Sequence, residues 1–261
     1  MIDYTFSYEN LEFFLLIFTR ISGFVYTAPF FSTNNTPRRV KAGFSIFFAF
    51  VLYQVLPDHE VPDYNTVLGY SILVLKEAAC GVLIGLGAAI CNTIVQFAGK
   101  IADMEVGLSM VQLMDPLTRD SSGFMGTFYQ YTVVLIMLVT DFHHYLIRAL
   151  VDTFTLIPIG TATFSSENLL KSMIQFLEDY MSISFRICLP IVAAMLLLNC
   201  VLGILAKTAP QINMFSVGIQ LKILAGLTIL LLTIGVLPSA SEYIFKEMRI
   251  MVTAFTQSMS G

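Results

Sequence analysis

The run TVLGYSILVLKEAACGVLIGLGAAICNTIVQF, Thr66 to Phe97, decides what kind of protein this is. It is apolar for far longer than a strand, and Lys76 and Glu77 are its only charges. Read as one helix at ~1.5 Å per residue, it is roughly 48 Å long, against ~30 Å of bilayer hydrocarbon. Such a helix must tilt, kink or leave the bilayer. Gly81 and Gly85 form a GxxxG pair, extended by Ala89, and small residues at this spacing let another helix approach closely. The spacing does not say which helix.

Comparable runs lie on both sides. Leu11 to Phe31 reads as a first span, interrupted by Arg20 and ended by Pro29. Ala42 to Leu56 is a second, short for the ~20 residues a crossing needs. Thr127 to Val139 leads into TDFHHYLIRALVDTF, which Pro158 and Gly160 close. A helix start is expected at Ser165 or Ser166. Leu169 to Leu205 is again too long for one perpendicular span, and Pro190 should kink it. Ile219 to Leu237 is the last span, stopped by Pro238, and Ser239 to Met259 forms a tail helix.

The composition agrees. Of 261 residues, 56% are hydrophobic and 12% charged, against about 25% charged in soluble domains. Mean hydropathy is +0.78. The fold class is an all-α integral membrane protein of tilted, kinked helices and helical hairpins, with a long structured central loop. Trp is absent, so the 11 tyrosines must supply most of any aromatic belt.

Several function classes drop out. A net charge of −4 leaves no basic face for nucleic acid. Cys80, Cys91, Cys188 and Cys200 sit in apolar runs with no CxxC or metal spacing, and read as buried thiols. The N-terminus lacks the basic region of a cleavable signal peptide. No Walker A, HExxH, GxSxG or dinucleotide fingerprint occurs, so neither an enzyme nor a cofactor is indicated. His143 and His144 are adjacent, which sends them to different faces of a helix and argues against a shared metal.

The longest interruption is DMEVGLSMVQLMDPLTRDSSGFMG, Asp103 to Gly126. Its apolar residues argue against disorder, so it reads as a loop with packed structure of its own; the plain alternative is a surface connector. The other anomalies are the charges inside apolar runs: Arg20, Lys76, Glu77, Arg186 and Lys222. Four are cationic, which suits pairing with carboxylates of partner subunits, or an aqueous lumen, better than a cation pathway. Lys76 and Lys222 have the further option of snorkelling. Basic residues put the loops 32–41, 98–126 and 206–217 on the cytoplasmic side, giving six crossings with both termini outside.

Four motifs in order, APFFSTNNTPRRVKAG (Ala28 to Gly43), VGLSMVQLMDP (Val106 to Pro116), LVDTFTLIPIG (Leu150 to Gly160) and LPIVAAMLLLNCVLGILAKTAPQINMFSVGIQLKI (Leu189 to Ile223), resemble the FliR family of flagellar biosynthetic proteins. The resemblance covers nearly the whole chain. It implies a core subunit of the flagellar type III export gate, multi-pass in the bacterial inner membrane within the basal body. It also implies partners: FliP-like and FliQ-like subunits in one hetero-oligomer, with FlhB-like and FlhA-like proteins nearby. Unfolded flagellar proteins would pass through, and membrane lipid would surround the assembly. A FliP-like part, 1–164, and a FliQ-like hairpin with tail, 165–261, are implied too. The plug of the channel falls on Gly107, Leu108, Met110, Leu113, Met114, Asp115 and Pro116. A partner-contact turn falls on Pro210, Gln211, Asn213 and Phe215. The alternatives are an injectisome export protein, a small secondary transporter, for which no convincing inverted repeat is seen, and a scaffold without pore contact.

Overall fold

The computed structural model describes residues 8–29, 31, 36–56, 62, 64, 66–109, 123–209, 211 and 214–260, of which Cys91 and 214–216 by backbone alone. These residues are helical with short connections, and no strand occurs among them. The helices are α1 (Tyr8–Thr27), α2 (Arg38–Val55), α3 (Val67–Val106), α4 (Phe124–Val139), α5 (Phe142–Leu156), α6 (Ser166–Thr208), α7 (Met214–Thr233) and α8 (Leu237–Met259), with a 3-10 turn at Ile234–Val236. The chain is an all-α integral membrane protein. In lipid every backbone polar group must be paired within its own segment, and these sequences satisfy that as helices.

Among the described residues three segments are long and apolar enough to cross a bilayer: Val67–Ile90, Ser166–Thr208 and Val217–Met259. A fourth results if α4 and α5 are counted as one broken span. This is fewer than the six crossings expected. The missing two are α1, which carries Glu9, Glu12 and Arg20, and α2, which opens with Arg38, Arg39 and Lys41.

Three boundaries differ from the sequence reading. Helix α3 continues past Phe97 to Val106, and α4 begins at Phe124, so both ends of the expected central loop are helical. Residues 110–122 lie outside the described residues. Pro238 does not end the helical path but sits in the first turn of α8, where a missing N–H costs little. Proline cannot donate to the carbonyl four residues back, at Ile234. The chain tightens there into a 3-10 turn, and the Leu237 N–H takes that carbonyl instead.

The helices contribute to two compact units. The first joins the chain up to Ile90 with Asp141–Phe176 and Lys246–Gly261. Within it, Thr163 and Ser165 donate their N–H groups to the Met259 and Ser258 carbonyls, tying the link before α6 to the tail helix. Arg249 packs its guanidinium on the rings of Phe142 and Tyr145, 5.0 and 4.8 Å away. The second unit comprises Cys91–Thr140 and Leu177–Phe245. Ser184 Oγ donates to the Ile94 carbonyl there, and Phe97 packs 5.0 Å from Tyr180. Both units draw on α3, α6 and α8.

Candidate functional site

In the first unit, Arg20 on α1 and Glu77 on α3 meet with no solvent exposure at either side chain. Arg20 Nε donates to Glu77 Oε2 at 2.5 Å. Its Nη1 donates to the carbonyls of Thr153 and Ile157, at 3.1 and 2.9 Å. These lie at the C-terminal end of α5, where the helix dipole favours a cation, and the Thr153 carbonyl also accepts the Ile157 N–H at 2.9 Å. The guanidinium also stacks on Phe154, 4.5 Å from its centroid. Glu77 Oε1 accepts the Gly160 N–H at 2.8 Å. Gly160 has φ +77, a conformation that glycine adopts at little cost. One buried ion pair thus fastens α1, α3, the end of α5 and the Pro158–Gly160 turn. Arg20 Nη2 is buried and has no hydrogen-bond partner.

The close approach that makes this possible comes from glycine. A Cβ at Gly81 would collide with the Arg20 carbonyl, and one at Gly85 with the Thr27 hydroxyl. From the other side, a Cβ at Gly23 would lie 2.9 Å from the Ala78 carbonyl. The GxxxG pair is therefore spent on α1 of the same chain. Likewise Arg20, for which the sequence suggests a partner subunit's carboxylate or an aqueous lumen, finds its carboxylate within the chain. Of the five charges read from sequence, only Arg20 and Glu77 come together. Lys76 and Lys222 are half-buried, Arg186 is exposed, and none of the three meets a carboxylate among the described residues.

The second unit holds the base of the central loop. Asp103, in the last turns of α3, is 1% exposed. Its carboxylate oxygens accept the Met125 N–H at 3.1 and 3.2 Å, capping the start of α4 from across the loop. Burial pushes this carboxyl above the ordinary carboxylate range, while the Met125 and Gly126 amides pull it back down. A Cβ at Gly123 would collide with the same carboxylate. Gly107 ends α3 with φ +90, and its N–H returns to the Asp103 carbonyl at 3.1 Å. Leu108 follows, half-buried. Met110, Leu113, Met114, Asp115 and Pro116 lie outside the described residues, as do Pro210 and Asn213 of the expected contact turn. Gln211 is exposed and Phe215 belongs to α7.

Sequence reasoning missed three features. By sequence Asp103 belongs with the loop, whereas its carboxylate caps a helix start 22 residues away at Met125. By sequence Gly160 is a helix stop, whereas its N–H also completes the Glu77 site. The two histidines do not diverge: their ring centroids are 4.0 Å apart, at a helix start where Asp141 takes φ 56. With the Asp141 carboxylate, their ligand atoms lie within 4.8 Å of one another.

The flagellar biosynthetic protein FliR of Bacillus subtilis is 32% identical over 229 residues, 86% of each chain. That of Escherichia coli is 28% identical over 245 residues, 92% of this chain and 90% of the relative. That of Aquifex aeolicus is 27% identical over 257 residues, 98% of each. The match to the family described as bacterial export proteins, family 1, runs over residues 11–248. It takes in the Arg20–Glu77 centre, both ends of the central loop and the long apolar helices, and the chain belongs to that family.

Proposed function

We propose that this chain is a core membrane subunit of the flagellar type III export gate, sited in the inner membrane within the basal body. It forms part of the channel through which unfolded flagellar proteins cross. The observation that carries this reading is the full-length similarity to proteins named for flagellar biosynthesis. The apolar helices support it. In the most apolar windows of Ser166–Thr208 and Val217–Met259 only 17% of residues are buried, which leaves wide faces for other subunits and lipid. FliP-like and FliQ-like chains are the proposed neighbours in one hetero-oligomer, with FlhB-like and FlhA-like proteins beside it. Residues 1–164 are the proposed FliP-like part, and 165–261 the FliQ-like hairpin and tail. The chain is not itself an enzyme on this reading.

The central loop is the proposed plug. A channel wide enough for an unfolded polypeptide must hold back ions when idle, and an apolar constriction does this by dewetting. Leu108, Met110, Leu113 and Met114 provide the apolar surface, and unbranched methionine side chains yield to a passing chain. Gly107 and the Asp103 cap give this loop two fixed ends. Deleting Gly107 to Met114 should make vesicles containing the assembled complex leak ions, with complex size unchanged. Equal ion flux from equally assembled complexes would reduce the loop to a connector. Recovery of the wild-type chain only as a free monomer would overturn the gate reading itself.

A further inference from the structure

The second unit contains a cavity of about 360 Å³ lined by Tyr129, Arg186, Pro190, Thr233, Ser239 and Tyr243 together with aliphatic side chains. Nothing in the proposed export role uses it. Arg186 is exposed and has no carboxylate partner among the described residues. No acidic side chain among the described residues lines the cavity. An unpaired guanidinium beside apolar surface is an anion site awaiting an anion, because its planar fork matches a phosphate.

The sequence around Arg186 says at what depth it sits. From Ile187 to Ala206 helix α6 carries no charge, and Arg186 and Lys207 bound this run. At ~1.5 Å per residue the run is about 30 Å long, the thickness of the hydrocarbon core. Before Arg186 the helix is polar, with Glu178 and Asp179. The uncharged run of α7 ends at the same cavity, where Thr233 and Ser239 line it and Glu242 follows. Arg186, two hydroxyls and the phenols of Tyr129 and Tyr243 therefore gather where two apolar runs give way to polar sequence. Tyrosine and arginine are the residues that favour this interfacial level. Ile183, Ile187, Val236 and Leu237 supply the aliphatic part of the lining, and Leu189, one turn from Arg186 into the uncharged run of α6, is exposed.

We propose that this cavity binds an anionic phospholipid, its phosphate on Arg186 and the tyrosine hydroxyls and its acyl chain along the aliphatic lining. A soluble phosphate would leave that lining wet, whereas a lipid covers both halves. The inference rests on the chain being an integral membrane protein and is independent of the export role.

The test is native mass spectrometry of the protein purified from membranes with whatever subunits accompany it. It is titrated with phosphatidylglycerol and with phosphatidylcholine of the same acyl chains. Phosphatidylglycerol should bind the wild type about tenfold more tightly, because phosphatidylcholine carries the same phosphate but adds a trimethylammonium that is repelled by the Arg186 cation. Arg186→Gln should erase that preference and Arg186→Lys should keep part of it. Tyr243→Phe should weaken binding less, and Lys171→Gln should change nothing. Excess inorganic phosphate should fail to displace the lipid. The proposal falls if Arg186→Gln and wild type show the same preference, or if inorganic phosphate empties the site. It also falls if a photoreactive residue at Leu189 crosslinks to a protein chain and not to lipid.

Discussion

Arg20 and Arg186 are the same side chain set into apolar helices, and the protein treats them in opposite ways. Arg20 is fully buried and is met by Glu77, two helix-end carbonyls and an aromatic face. Arg186 is exposed beside a cavity and is met by no carboxylate among the described residues. The difference teaches that an arginine in an apolar run has two stable solutions. It can carry its counter-charge inside the chain, which locks helices together. It can instead sit where an apolar run ends and take a counter-charge from outside. Desolvation of an ion costs several kcal/mol, so the first solution needs nearly every donor occupied. The second keeps the head near water and avoids most of that cost.

The largest expected effect falls on the first solution. Arg20→Met should destabilise the purified protein by about 3–5 kcal/mol, because it leaves Glu77 buried and uncompensated. The double variant Arg20→Met, Glu77→Met should recover most of that loss, because removing both partners also removes the desolvation cost. Denaturant unfolding in mild detergent measures both. A double variant as unstable as the single one would show that the pair holds the helices by more than charge compensation.

A smaller effect is expected where glycine brings α1 onto α3. Gly81→Ala should cost about 1–3 kcal/mol, because the new methyl group meets the Arg20 carbonyl and must push the helices apart. The same unfolding assay checks it. Separation of α1 from α3 would also lengthen the Arg20–Glu77 contact, so Gly81→Ala combined with Arg20→Met should cost less than the sum of the two. Strict additivity would mean that the glycine contact and the ion pair are independent fasteners.

The smallest effect belongs to the second solution. Arg186→Gln should change unfolding stability by no more than about 0.5 kcal/mol in lipid-free detergent, as for an exposed residue without partners. A loss comparable to that of Arg20→Met would break the comparison, since it would show that Arg186 has an internal partner.

Much of this protein was legible in order along the chain. Arg20 stands in a run that any hydropathy reading marks as unusual, and Pro158 with Gly160 marks a stop, as α5 ends at Leu156. Ser166 opens α6 where the cap residues indicated. What could not be read was which feature answers which. Glu77 is 57 residues from Arg20, and its neighbour Lys76 carries the same weight in any linear reading. Adjacent residues on a helix point about 100° apart, so only Glu77 turns inward and Lys76 is left half-buried. The Asp103 cap was hidden for a related reason, since a carboxylate beside a glycine-rich interruption reads as loop until the amides of α4 stand opposite it.

The sequence by itself determined that this is a helical membrane protein, because apolar runs this long leave the backbone no other way to satisfy its hydrogen bonds in lipid. It also determined where the costly charges stand along the helices. Only the tertiary structure decided that the GxxxG pair serves α1 of the same chain, that Arg20 is neutralised from within, and that Arg186 is left with an open cavity. Hydropathy is a local property that composition carries, whereas the pairing of charges depends on helix rotation and on contacts between residues far apart in the chain.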